Sequence, residues 1–282
     1  MRTYRTGLGV LDAVVAGGLR PGVLAMWGMP DSGVSTLGRA ILKTARPEPT
    51  GLVATTIPDP RWLRQLRVDP IIAVPGTGEL GFETAYHMLK EGVRVVLIDH
   101  LPGLVTSATA NTALWAHVPY AERRLIDQGL SMLRSTAKAV GALVVVANQM
   151  RWSMEHGIHP YMHDTVSCHM DHAIELQKGS FRTIYGQLAE QRVQVRLRIA
   201  NGRTRKDAET KVSIWPRRGI DEIYELLMYL QHTGLFLRAG AWWKDPATNT
   251  NFGPGYRAAR NQLARKRAHY IKALDEWKSK SS

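Results

Sequence analysis

"GMPDSGVSTL", residues 28–37, follows the apolar run "GVLAMW" (22–27) and leads into residues whose apolar positions recur at helical spacing. A glycine-bounded turn between a strand and a helix is the setting of a phosphate-binding loop, G-x-x-x-x-G-K-[ST]. Gly28, Gly33, Ser35 and Thr36 stand where that pattern needs them, with Asp31 and Ser32 between the glycines, but Val34 fills the lysine position. In such a loop the glycines let backbone N–H groups turn inward on phosphate oxygens at the positive end of the following helix. The Ser/Thr hydroxyl holds Mg²⁺ and the lysine bridges the outer phosphates. Here everything is present except the bridge. A hydrogen bond to a charged group contributes about 1.5–3 kcal/mol, so triphosphate binding should weaken roughly 10–100-fold. Phosphoryl transfer should suffer more, because the same charge steadies the transition state.

The neighbouring segments supply the frame. "GLVATTI" (51–57), "IIAVPG" (71–76), "VRVVLIDHL" (93–101) and "GALVVVANQ" (141–149) read as buried strands rich in β-branched residues. Between them "STLGRAILKTA" (35–45), "ELGFETAYHMLKEG" (79–92) and "YAERRLIDQGLSMLRSTAKAV" (120–140) read as amphipathic helices. The alternation predicts an α/β fold with a mainly parallel sheet covered by helices. "QRVQVRLRIA" (191–200) and "ETKVSIW" (209–215) suggest an antiparallel hairpin at the sheet edge, and "DEIYELLMYLQHTGLF" (221–236) a further helix. "AGAWWKDPATNTNFGPGY" is turn-rich, and one basic helix from about Arg257 to Lys278 closes the chain. We therefore place a core domain at 1–236 and a small basic C-terminal domain at 237–282. Asp99, ending an apolar strand, has the form of an acidic residue that faces Mg²⁺ in nucleotide hydrolases; with Ser35 it makes the candidate metal pair.

Composition narrows the partners. Of 282 residues, 44% are hydrophobic and 22% charged, which excludes a disordered chain. The net charge of +13 favours a polyanion, with nucleic acid the first candidate. Basic residues crowd the end: Arg257, Arg260, Arg265, Lys266, Arg267, Lys272, Lys278 and Lys280 face only Asp275 and Glu276. A single cysteine, Cys168, rules out an intrachain disulfide and fits a reducing cytoplasm. No apolar run approaches a membrane-spanning length. A soluble cytoplasmic protein is the expectation.

Several motifs together resemble the bacterial and phage RecA recombinase family. "TGLGVLDAVVAGGLRPG" before the loop, "PDPRWLRQLRVD", "VVLIDH", "VVVANQMR" and "GIDEIYELLMYLQHTGLFLRAGAWW" are similar to family segments in the same order. The resemblance implies a RecA-like P-loop NTPase core with a small α-rich C-terminal region, ATP and Mg²⁺ as weakly held cofactors, and single-stranded DNA, with duplex DNA a further candidate, as partner. It puts Trp62 where an aromatic ring stacks on adenine, although a core tryptophan is an equal alternative. It puts Gln149 where a glutamine senses the γ-phosphate and relays it to the following DNA-binding loop. The departures matter as much. The family's catalytic glutamate falls at Thr55, which cannot act as a carboxylate base. Its paired lysines, which reach a neighbour's ATP, fall at Ala200 and Gly202, with Arg203 nearby. The chain begins five residues before Thr6, so the family's N-terminal docking segment has no counterpart and weak, DNA-templated self-association is expected.

The DNA-facing loops implied by the resemblance lie within "TSATANTALWAHVP" (106–119), with Arg123 and Arg124 behind it, and "RWSMEHGIHPYMHDTVS" (151–167). Arg151, Trp152 and Tyr161 offer the cations and rings that single strands require, and Arg260, Arg265 and Arg267 extend the basic surface. His156, His159, His163, His169 and His172 with Cys168 match no compact zinc frame; histidines that charge below neutral pH and strengthen phosphate contact fit better. Three functions compete: a recombination or repair protein that binds single-stranded DNA with ATP hydrolysis lost; a pseudo-ATPase accessory subunit of a translesion polymerase or recombination complex; and an active DNA-dependent ATPase recruiting Arg39, Lys43 or Arg203.

Overall fold

The apolar run before the glycine loop forms β1 (Gly22–Gly28), buried along its whole length in the computed structural model. Described are residues 2–14, 18–60, 63–64, 69–113, 120–154, 157–184, 187–201, 204–215 and 219–281. They divide into two compact units, Met1–Thr6 with Leu11–Ile220, and Gly7–Val10 with Asp221–Ser282.

In the first unit, β2 (Thr50–Ala54), β3 (Ile71–Ala73), β4 (Val95–Asp99) and β5 (Leu143–Ala147) join β1 in one sheet. A hairpin of β6 (Met150–Ser153) and β7 (Gly157–Pro160) stands apart from it, followed by β8 (His172–Ile184), β9 (Gln187–Asn201), β10 (Thr204–Trp215) and β11 (Gly219–Ile220). The nine strands run in the order β11-β10-β9-β8-β1-β5-β4-β2-β3. The six from β8 to β3 are mutually parallel, and β9, β10 and β11 extend the sheet antiparallel. Parallel strands covered on both faces need apolar side chains on both, which is why β1, β4 and β5 read as unbroken apolar runs.

After the short α1 (Gly9–Val14), α2 (Val34–Thr44) packs on one face, where Gly38 approaches Met26 and Leu97. The other face carries α3 (Gly78–Lys90) and α5 (Ala121–Val140), closing a core of Val23, Ala25, Val96, Ile98, Val144 and Val146 with Phe82, Leu130 and Leu133. Each of these side chains except Ala25 contributes about 1.5–3 kcal/mol on burial. The brief α4 (Ser107–Ala110) and α6 (His163–His169) complete the unit. "IIAVPG", expected as a buried strand, is the edge strand β3 instead: Ile71 is 56% and Ile72 44% exposed. Its one neighbour in the sheet is β2, and among the described residues no strand pairs with its outer edge.

The second unit contains α7 (Glu222–His232), a three-stranded antiparallel sheet of β12 (Leu237–Ala239), β13 (Trp242–Asp245) and β14 (Thr250–Pro254), then α8 (Gly255–Arg265) and α9 (Arg267–Ser281). The turn-rich segment thus builds strands: Asp245 accepts from the N–H groups of Ala247 and Thr248 and organises the turn between β13 and β14. The closing basic helix is two helices, interrupted at Lys266. Phe236, Phe252 and Tyr270 form the core, with ring centroids 4.7–5.7 Å apart. We expected the boundary after residue 236; α7 groups with the later elements because its N-cap, Asp221, is bonded by Tyr256 and Arg260.

Candidate nucleotide cleft and nucleic-acid hairpin

The carboxyl ends of β1, β4 and β5 open onto a cleft of about 340 Å³, the position where parallel sheets receive ligands. Its wall is the glycine loop from Gly28 to Thr36, with His100 after β4 and Ala147, Asn148 and Gln149 from the end of β5. Asp31, Ser32, Val34, Ser35, Thr36 and Gln149 therefore gather in one place. Gly33 has φ 94°, a left-handed conformation that suits glycine, and sits at the N-cap of α2 with no side-chain cap of its own. Gly28 is required for space: a Cβ there would lie 2.2 Å from Ser32 Oγ and 2.7 Å from the Leu176 carbonyl oxygen. Ser32 is almost fully buried, and its hydroxyl has no protein partner among the described residues. Backbone donors at a helix N-terminus around a concave loop can hold phosphate, so the residues present fit the phosphates of a nucleotide.

They do not fit the metal. Asp99 Oδ1 accepts from Ser35 Oγ at 2.7 Å and Oδ2 accepts from the Arg39 guanidinium at 2.8 Å. Both side chains of the ion pair are under 10% exposed, and neither lines the cleft. Burial pulls the Arg39 guanidinium below its ordinary value, and the Asp99 carboxylate beside it opposes that. Ser35 and Arg39 are one helical turn apart, which brings both onto Asp99. From the sequence Arg39 is expected only as a phosphate cation; its actual partner is the acid expected to face Mg²⁺. At the base position, Thr55 Oγ1 lies 3.5 Å from His100 Nδ1, and no carboxylate stands there.

From the cleft wall the chain passes directly into the β6–β7 hairpin. Asn148 is buried and donates to the Tyr161 carbonyl, while the Tyr161 N–H donates to the Gln149 carbonyl, so the hairpin closes back on the cleft. Trp152 is 70% exposed on the hairpin and Arg151 is exposed beside it. Tyr161 departs from expectation. Its ring is buried under the Arg151 guanidinium and its hydroxyl donates to Glu122 at 2.6 Å, which leaves no open face for a base. Burial, then Glu122, push its phenol above the ordinary range. Arg123 and Arg124 are exposed on the first turn of α5, and Arg123 borders a second hollow with His159 and His163.

The histidines disperse: His169 meets Asp127 at 2.8 Å, His163 stands edge-on to Trp27, and His172 is buried in β8. Among the described residues no group of three or more His, Cys, Asp or Glu could hold a metal ion. Within the C-terminal unit, Arg260 is held by the buried Asp221, Arg267 meets Glu222 at the surface, and Arg265 is exposed. Arg260 is therefore a structural residue rather than a surface cation. Trp62, His156, Gly202, Arg203 and residues 114–119 lie outside the described residues.

A parallel α/β sheet with a glycine loop after its first strand, an acidic strand end beside it and a cleft between them defines a RecA-like core. No protein-family model matches the chain. It is similar to Protein RecA of Haemophilus ducreyi, with 25% identity over 265 residues covering 88% of this chain and 70% of that protein. RecA of Trichormus variabilis is 24% identical over 267 residues, covering 90% and 74%. RecA of Synechococcus sp. (strain CC9902) is 23% identical over 268 residues, covering 90% and 70%. The relationship to RecA is distant and runs along nearly the whole chain. Among the described residues no helix is long and apolar enough to cross a membrane.

Proposed function

We propose that the chain is a RecA-like recombination or repair protein that binds single-stranded DNA and retains a phosphate cleft without efficient ATP turnover. The observation that carries the reading is the continuity of cleft and hairpin. Asn148 and Gln149 line the glycine-loop cleft, and the residues directly after them lead to the exposed Arg151 and Trp152. A cation beside an exposed indole is what a single strand asks for, phosphate contact and a stacking face together. Loss of turnover rests on Val34 in place of the bridging lysine, Thr55 in place of the base, and Asp99 bound by Arg39. Arg39 is consumed in that pair, which argues against its recruitment as a phosphate-bridging cation.

A salt titration of single-stranded DNA binding, with and without ATP, tests the reading. Trp152→Ala should cost about 1–3 kcal/mol of affinity for every sequence alike. Arg151→Gln should flatten the dependence of log K on log salt by about 0.7. Negligible DNA affinity with tight capture of a protein partner would favour the accessory-subunit reading instead.

Val34→Lys restores the missing cation at the first turn of α2, on the cleft wall. Equilibrium titration with a fluorescent ATP analogue should find binding tightened roughly 10–100-fold. Phosphate release should stay at background, because Thr55 remains. Turnover in the unmodified chain that disappears in Asp99→Asn would contradict this account.

A further inference from the structure

We infer that the cleft takes its phosphate-bearing ligand without a divalent cation, because the Arg39 guanidinium already holds the Asp99 carboxylate that a metal would need. The inference rests on the reading of the cleft as a phosphate site and concerns whether that site recruits a metal.

Among the described residues Asp99 is the carboxylate that the ends of β1, β4 and β5 offer to a metal, and its two oxygens are both engaged; Asp31, in the loop, stands 3.8 Å from the Lys178 ammonium. Mg²⁺ needs near-octahedral oxygen ligands at about 2.0–2.1 Å. The Ser35 hydroxyl donates its proton to Asp99 and keeps lone pairs, so hydroxyl geometry alone does not exclude a metal. Charge does. A dication approaching Asp99 would meet a fixed guanidinium already 2.8 Å from the carboxylate, inside the protein where charges are poorly screened. Arg39 cannot easily withdraw, since its helix packs on the sheet with Leu37, Ile41 and Leu42 buried around it. The loop itself keeps what an anion needs: the N-terminus of α2 and the left-handed Gly33. The buried Ser32 hydroxyl, without a protein partner among the described residues, adds a donor within the same loop.

The phosphate could come from a nucleotide or from a simpler inorganic anion, and ADP and pyrophosphate as separate probes distinguish them. Mn²⁺ alone is titrated first, followed by electron paramagnetic resonance. The unmodified chain should give no saturable site that Asp99→Asn removes, whereas Arg39→Gln, which keeps a hydrogen bond but not the charge, should gain one. ADP affinity, measured by calorimetry, should change less than about twofold between Mg²⁺ and EDTA, and should become dependent on Mg²⁺ by about tenfold in Arg39→Gln. Binding of ADP but not pyrophosphate marks the nucleotide as the source; equal binding marks the inorganic anion. An Asp99-dependent Mn²⁺ site in the unmodified chain, or ADP binding that needs Mg²⁺, overturns the inference and leaves the cleft reading intact. Binding of neither probe in either condition removes the cleft reading, and the inference with it. The measurements on the unmodified chain decide the matter even if Arg39→Gln does not fold.

Discussion

Asp99→Ala is expected to lower the unfolding free energy of the sheet-bearing unit by about 3–5 kcal/mol. Removing one member of a buried ion pair leaves the other charge in the interior, and that desolvation is what the number measures. The side chains of Arg39 and Asp99 are 9% and 7% exposed, so water cannot replace the lost carboxylate without opening the helix–sheet contact. An acid waiting for a metal behaves in the opposite way. It is held near other oxygens and is relieved, not orphaned, when its charge is removed. Denaturant titration of Asp99→Ala therefore separates the two roles, and a neutral or stabilised variant would show that Arg39 does not depend on Asp99. The companion experiment removes both charges. Arg39→Leu with Asp99→Asn leaves an acceptor for Ser35 and no buried charge, and should recover roughly 1–3 kcal/mol of the loss.

The same pair marks how far the residues could be read in order along the chain. The strand, loop and helix from Gly22 to Thr44 were legible because their signals are local: apolar runs, glycines at a fixed interval, and helical periodicity. Asp99 was legible as an acid ending a strand. Its partner is 60 residues away and was read as a cation for phosphate. A signal did exist, since Ser35 and Arg39 share one helix face and Arg39 falls among the apolar positions Leu37, Ile41 and Leu42. Tyr161 shows the same limit. An aromatic residue near an arginine reads as a stacking platform, and only the fold brings Glu122 onto its hydroxyl. Trp152, three strand positions beyond Gln149, stayed exposed and kept its role as a candidate.

Edge strands are a different limitation. "IIAVPG" and "VRVVLIDHL" are both apolar and β-branched, yet β4 is covered by neighbours on two sides and β3 on one. Strand order is set by crossovers, and no local pattern reports it. In the C-terminal unit the glycines, prolines and asparagines of 240–254 outweighed the aromatic pair Trp242 and Trp243. One of these faces out and the other is buried, the alternation of a strand.

Asp221→Ala should unfold most of the C-terminal unit, at a cost of about 3–5 kcal/mol. The buried carboxylate accepts from the N–H groups of Ile223 and Tyr224 as the N-cap of α7, from the Tyr256 hydroxyl at 2.5 Å, and from Arg260 at 2.8 Å. It thus ties the first helix of the unit to α8. At about 0.05–0.15 kcal/mol per residue, a unit of this size has about 3–10 kcal/mol to lose, and this substitution takes a large share of it. Hydrogen exchange should reveal the loss in α7, α8 and β13 while amides of β1, β4 and β5 stay protected. Asp221→Asn caps almost as well but gives up the charge, and should fall between, at about 1.5–3 kcal/mol. Acid tests the same contacts. Burial alone would raise the Asp221 carboxyl, but Arg260 and Tyr256 outweigh it and hold the group below its ordinary value. A depressed carboxyl contributes stability that is complete above its unfolded pKa, near 3.9, and is lost as pH falls through the folded one. The unit should therefore lose stability below about pH 4. Asp221→Asn should flatten that dependence without abolishing it, since Asp245 is also held low. Arg260→Gln would then weaken folding of the unit rather than flatten the salt dependence of DNA binding. If instead Arg260→Gln leaves hydrogen exchange unchanged and removes a phosphate contact, Asp221 is not its working partner and α8 regains Arg260 as a cation for nucleic acid.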